Sequence, residues 1–376
     1  MKISRIIKIF TCVFLSGILF SGCAGNENLK DLSVVEGMGI DRNEDSVTVT
    51  VQSLNLSKEG SGAEALSGNI TMNEQGGGAN ISDAVQTAGQ GMSKKLFFGQ
   101  NKLLVLGWDY AGNDLQDCFD YLIRNPDSRP DVAVCISSST ANEALSSSIG
   151  GALVPSQAIT ELLYNGEHDG FAAYVTVNEM LNLYKDKTSD IYLPVVTASE
   201  NSAVVSGIAV FNSTHLAAVL PQEQILGFLL LSDKSEQCYF EFESDPFGSA
   251  GAKLSDITTK ARTRYADQTV VYSVEINATL SVEELEGGDL GSLTQQDLQN
   301  VAKQAQEELE GRCRSVFAAC VQNKSDCLRI GERLAADCPS VYSSLSTDWA
   351  EQLGKIRFEI NCSLKLEKVN ENANRY

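Results

Sequence analysis

The first twenty-three residues decide which part of this chain folds and where it does so. Lys2, Arg5 and Lys8 form a positive n-region, Ile9 to Phe20 is a short apolar run, and Leu19-Phe20-Ser21-Gly22-Cys23 closes it. That is the layout of a secretory signal peptide over residues 1–22. The apolar run is well short of the ~20 residues needed to cross a bilayer as a helix. Small residues at Ser21 and Gly22 admit a peptidase to the backbone, and a cysteine directly after them can carry a thioether-linked diacylglycerol. Cys23 is therefore the expected lipidation site, as an N-palmitoyl and S-diacylglycerol cysteine. The mature chain is expected as a bacterial lipoprotein, lipid-anchored on the extracytoplasmic face of a membrane.

Removal of residues 1–22 leaves 354 residues, enough for two or three domains. A hydrophobic content of 43% is that of a globular chain. The net charge of −20 becomes about −23 without the signal peptide, which carries three bases and no acid. Such a surface repels nucleic acid and anionic headgroups alike, so nucleic-acid binding is excluded. Membrane attachment then depends on acyl chains and protein partners.

Ten cysteines are present. Cys12 leaves with the signal peptide and Cys23 is assigned to lipid, so eight remain, and an exported protein can pair them. Cys313, Cys320 and Cys327 recur every seven residues in a helical stretch. On one continuous helix that spacing is ~10.5 Å along the axis, beyond the reach of a disulfide. Neighbours among these three can pair only if the helix breaks. Buried, reduced thiols on an apolar stripe with Leu309, Val316 and Phe317 are the expectation.

Beyond residue 32, strand and helix patterns alternate. Two strands around a turn are expected over 32–54, where Val47, Val49 and Val51 alternate. Ser57 to Ala79 reads as a long mobile Gly/Ser-rich loop with a short strand at 69–72. Helices are expected at 81–92 (capped by Asn80 or Ser82), 115–123, 141–147, 156–164, 177–184 and 222–231. Strands are expected at 102–106, 132–136, 191–196, 204–211, 215–220, 238–242, 269–280 and 356–366. The longest helix, about 294–336, is expected to be interrupted near Asn323–Asp326. The fold class is thus α+β and multi-domain: two to three α/β domains with mixed or antiparallel sheets flanked by helices, and a long helix in the C-terminal region. The expected divisions are an N-terminal α/β region at 23–200, a middle β-rich region at 201–250, and a C-terminal α/β domain at 251–376.

A search for chemistry returns little. The two histidines, His168 and His215, stand in no metal-binding spacing, and neither CxxC nor HExxH occurs. No GxSxG elbow or SxxK pair is present. Gly37-Met38-Gly39 lacks the third glycine of a dinucleotide loop, since Arg42 stands there. Glu283–Glu284 and Glu307–Glu308 are adjacent carboxylates; on a helix such neighbours point ~100° apart and make no acid/base pair. No enzyme, cofactor or metal site is expected.

Four local motifs, in order, resemble one family. They are the LKDLSVVEGMGIDRNEDSVTVTVQ opening after Cys23, and KKLFFGQNKLLVLG ending at Gly107 with Leu122 to Pro126 and Arg129-Pro130 after it. The restart Gly207-Ile208-Ala209-Val210-Phe211 is the third. The fourth is the tail of Asp326-Cys327 through Gly331, Pro339, Trp349 and an alternating last strand. Together these resemble the Ger(x)C proteins, the lipoprotein C subunits of nutrient germinant receptors in spore-forming bacteria. The resemblance implies three α/β domains of unusual topology and a lipoprotein on the outer face of the inner spore membrane. It also implies two integral-membrane partners, the A and B subunits, with the small-molecule nutrient contacted only indirectly, if at all. Cys23 is the one functional residue it carries over. The motifs at Lys95–Phe98 and Arg124–Pro130 read as a strand entry and a corner. The alternatives from residue pattern alone are a solute-binding lipoprotein of a transporter or a diverged envelope interaction protein.

Overall fold

The computed structural model describes residues 31–44, 46–54, 70–125, 128–147, 149–199, 202–288 and 290–367. The signal peptide and Cys23 lie outside these residues, as does most of the expected loop at 57–79. The described chain forms two sheets flanked by helices.

The first sheet runs, in space, β3 (Thr71–Gly78), β2 (Ser46–Leu54), β1 (Leu32–Asn43), β5 (Leu103–Leu106), β6 (Ala133–Ser137), β7 (Tyr192–Ala198), β8 (Ala203–Asn212) and β9 (His215–Pro221), with the short β4 (Lys95–Phe97) paired to the start of β1. Its centre, β1-β5-β6-β7, is parallel and both flanks are antiparallel. Residues Leu32 to Asp41 of β1 are all buried. This is what a strand covered on both faces requires, and it explains why period-two alternation is absent there.

One face of β1–β3 is covered by α1 (Ile81–Gln90), capped by Asn80, whose side chain accepts from the Asp83 N–H. The helix sits so close that a Cβ at Gly76 would lie 2.1 Å from the Ala88 nitrogen, and one at Gly78 would lie 2.5 Å from the Ala84 nitrogen. This overturns part of the loop expectation. The Gly-rich run 71–78 is a strand, and its glycines make room for a helix instead of marking a turn.

The other face carries α4 (Ala141–Ser146) and α5 (Pro155–His168), and the shorter α2 (Trp108–Ala111) follows β5. Between α4 and α5 lies Gln52, fully buried. Its amide donates to the Leu145 carbonyl at 2.5 Å, and its oxygen accepts from the Ser156 N–H at 3.1 Å. One side chain thus satisfies an orphan carbonyl at one helix end and an orphan N–H at the next helix start. α3 (Gln116–Arg124) and α6 (Val177–Lys185) complete the shell.

The second sheet is β10 (Cys238–Ser244), β11 (Gly248–Ala266), β12 (Thr269–Leu285) and β13 (Arg357–Leu366), antiparallel except for the last pair. α8 (Gln295–Gln322) crosses it, burying Val301, Ala305, Leu309, Cys313, Val316 and Cys320 along one stripe. A capping box of Thr294 and Asp297 starts the helix. The expected interruption is present. α8 ends at Gln322 and α9 (Ile330–Asp337) follows, then two short helices that sequence pattern did not indicate, α10 (Pro339–Leu345) and α11 (Trp349–Leu353).

Between the sheets sits α7 (Gln222–Leu231), with every residue from Ile225 to Leu231 buried. Gly227 allows its crossing with α8, since a Cβ there would lie 2.9 Å from the Arg312 backbone. The three domains implied by the resemblance correspond here to two sheets. β8 and β9 join the first sheet and β10 opens the second, because the buried residues Ile208, Ala209, Val210 and Phe211 pair onto β7 and β9.

Candidate functional site

Cys23, the site residue indicated by sequence, lies outside the described residues. The first described residue, Asp31, is eight positions later, directly before β1. Eight extended residues span at most ~29 Å. A lipid on Cys23 would therefore hold the starting end of the central strand within that distance of its headgroup.

The residues weighed for chemistry serve structural contacts. His168 is half exposed and touches Asp169 at 2.9 Å, while His215 is exposed and 3.9 Å from Asp114. Glu307 and Glu308 pair along α8 with Lys303 and Arg312. Glu283 and Glu284 line a solvent-open groove with Glu241 and Glu286. Among the described residues no group of three or more His, Cys, Asp or Glu side chains is placed to hold a metal ion.

The family motifs resolve into four built corners. In the first, Gly37 and Gly39 lie under α5 and α4: a Cβ would sit 2.7 Å from Ser156 Cβ or 2.8 Å from Ala141 Cβ, so these glycines admit helices and not a phosphate. Asp41, nearly fully buried, accepts from the N–H groups of Ala141 at 2.8 Å and Asn142 at 3.3 Å. Burial pushes its carboxyl pKa up, against the pull of those two donors. Gly107 leaves space for that carboxylate, since a Cβ there would fall 1.9 Å from Asp41 Oδ1.

In the second corner Arg129 donates to the Gly99 carbonyl at 2.5 Å and pairs with Asp131 at 2.6 Å, joining the two halves of that motif. Phe98 packs inward and lines a groove of about 700 Å³ with Ile81, Val85, Asp117, Asp120 and Arg124. Phe97 is 39% exposed and lies across Gly99. Phe97 thus closes β4 while Phe98 begins the turn after it, and of the two it is Phe98 that packs as a core residue.

The third corner is Gly207, over which the Leu220 carbonyl passes: a Cβ would lie 2.4 Å from that oxygen. The fourth joins the sheets. Asp326 is fully buried and accepts from Ile330 N at 2.8 Å, Gly331 N at 2.7 Å and Trp349 Nε1 at 2.8 Å. Burial raises its carboxyl pKa to about 7, partly offset by those donors and reinforced by Asp190. Asp190, before β7, accepts from the Asp326 N–H at 2.7 Å and the Ser213 N–H at 2.7 Å.

A second joint, absent from the sequence reading, centres on Lys234, between α7 and β10. Its ammonium lies 3.1 Å from Glu167 on α5 and 3.1 Å from Glu179 on α6, and 5.7 Å from the Tyr192 ring centre. Tyr192 donates to Glu179 at 2.8 Å. A single lysine three residues after the apolar run Ile225–Leu231 was the available signal, and it carried no information about its partners.

Comparison with known families turns these corners into an assignment. Residues 25–198 match the family described as "Spore germination protein N-terminal domain", and residues 206–370 match "Spore germination B3/ GerAC like, C-terminal". The chain belongs to the Ger(x)C family of spore germination proteins. YfkR of Bacillus subtilis (strain 168) is 22% identical over 285 residues, covering 72% of this chain and 73% of its own length. The spore germination protein GerQC of Bacillus cereus is 19% identical over 356 residues, covering 93% and 95% respectively. The crystal structure of the GerBC protein superposes with a TM-score of 0.59 at 14% identity, covering 91% of this chain and 99% of that one. That likeness establishes the fold. The first family segment ends with β7 at residue 198 and the second begins at residue 206, inside β8, so β8 and β9 of the Ger(x)C C-terminal segment complete the sheet of the N-terminal one.

Proposed function

We propose that this Ger(x)C protein is a non-catalytic, lipid-anchored subunit of a nutrient germinant receptor. It is held by Cys23 on the extracytoplasmic face of the inner spore membrane and assembles with integral-membrane A and B subunits. The observation that carries the reading is the Ser21-Gly22-Cys23 site, a short tether ahead of a chain whose remainder matches both family segments. Two acyl chains give durable attachment where one is marginal, at ~0.8 kcal/mol per buried CH₂. Attachment to the membrane that holds its partners raises the effective concentration for assembly. The acidic surface, net −20 over the full chain, supports attachment by lipid over attachment by charge.

The test compares spores lacking this protein with spores carrying Cys23→Ala. Both are expected to lose the response to one nutrient while germinating normally with a nutrient-independent trigger. A deletion strain that answers every nutrient as the parent does would remove the receptor role. Normal germination with Cys23→Ala alone would remove the anchor from the mechanism.

A further inference from the structure

Cys320 and Cys327 belong to the seven-residue series that a continuous helix would keep apart. The helix is not continuous. At the end of α8, the Ser325 N–H bonds the Cys320 carbonyl at 3.0 Å and the Lys324 N–H bonds the Val321 carbonyl at 3.1 Å. Lys324 takes the left-handed conformation, φ 54°. This is a Schellman turn, and it folds the chain back on the last turn of the helix. The two sulfurs end 3.3 Å apart, with Cys320 2% and Cys327 1% exposed.

We propose that Cys320 and Cys327 form a disulfide in the exported protein. The inference rests on the extracytoplasmic reading only for its oxidising compartment; the juxtaposition stands without it. The two thiols give up two protons and two electrons as the Sγ–Sγ bond forms. A disulfide oxidant, reached by thiol–disulfide exchange, accepts them and leaves as two thiols. Burial shields the folded pair and pushes the Cys327 thiol well above its usual pKa, so thiolate is scarce once α8 has docked. The exchange therefore occurs before docking, and the bond then fixes the turn that presents Asp326 to Asp190 at the joint between the sheets.

The sequence provides a direct readout, because trypsin cuts at Lys324, between the two cysteines. The full-length protein is extracted from spore membranes in detergent, unfolded in denaturant with an alkylating agent present so that buried free thiols react, and digested without reductant. The expected product is peptide Ser315–Lys324 joined to Ser325–Arg329, lighter by two hydrogens than their sum and separated by reduction. In parallel, the purified full-length chain is unfolded and refolded with oxidised glutathione, and the same pair is expected. Cys320→Ser should abolish the joined pair and leave Cys327 alkylated. Alkylation of both cysteines in both preparations, or Cys320 joined to another cysteine, overturns the proposal on its geometry. Joining on refolding but not in spores also overturns it, and places the failure in the compartment assigned to the protein.

Discussion

The two sheets bury their strands by different means. At the centre of the first, β1 is covered on both faces, and four glycines on β1 and β3 sit where a helix presses. In the second, β12 alternates buried Val274, Ile276, Ala278 and Leu280 with more exposed residues, and α8 covers the inner face. The first sheet is thus limited by volume, with helix backbone in van der Waals contact with strand backbone. The second is limited by apolar area, supplied by one long stripe. A helix laid on an open sheet can shift by a fraction of an ångström to absorb a change. A strand caught between two layers cannot.

The sharpest way to break that contrast is a side chain on β3. Gly76→Val should prevent stable folding of the first sheet, since no rotamer frees a Cβ from the Ala88 backbone. Gly77→Val, with nothing within 4 Å of its Cβ, should leave the thermal melt nearly unchanged. Equal melts for the two variants would show that α1 does not press on β3. In the second sheet the largest response belongs to the stripe: Leu309→Ala should cost about 2–5 kcal/mol by urea titration. A loss below 1 kcal/mol would mean that α8 contributes little area there.

The joint between the sheets gives a smaller, pH-dependent effect. The Asp326 carboxyl has a pKa of about 7 when folded and the ordinary 3.8 when unfolded. The folded state therefore holds a proton that the unfolded state has released between these values. Stability contributed by this group is greatest below about pH 4 and falls as pH rises toward 7. The urea midpoint should decline over that window in the native protein and decline less in Asp326→Asn, whose overall stability is also lower. Parallel pH profiles would assign the dependence to other carboxylates. The smallest effect is at the start of α8, where Thr294→Ala should cost about 1 kcal/mol by removing the cap. An unchanged melt would mean that the capping box is redundant with the docking of the stripe.

Legibility in the sequence followed the same division. Short apolar runs such as Leu103–Leu106 and Ala133–Ser137 stood out because burial on both faces leaves a composition with few readings. β11, the longest strand, did not. Its inward residues Ala250, Ala252 and Leu254 are mostly small, and a bulge at Asp256, φ 52°, moves the inward set to Ile257, Ala261 and Thr263. Alternation that changes phase mid-strand cancels over any window that spans the bulge. The glycine run at 76–78 was misread for a related reason: glycine marks either backbone freedom or a close neighbour, and only the fold says which. For the functional site, the expectation at Cys23 rests on local sequence alone, the kind of pattern that a peptidase and a lipid transferase would read. The Asp190–Asp326 and Lys234 joints were not legible, since Asp190 and Asp326 lie 136 positions apart and Lys234 lies 67 and 55 positions from its two carboxylates.

β1 is both the first described element after the tether and an interior strand, hydrogen-bonded to β2 on one side and to β4 and β5 on the other. In the proposed anchored state, a pull between membrane and protein enters the fold at the start of that strand, and its component along the strand axis loads the neighbouring ladders. Such a load meets two ladders in shear, with their hydrogen bonds strained together. An edge strand tugged at its end would unzip one bond at a time. A subunit tethered in this way can transmit force to its partners without first yielding at its own attachment point.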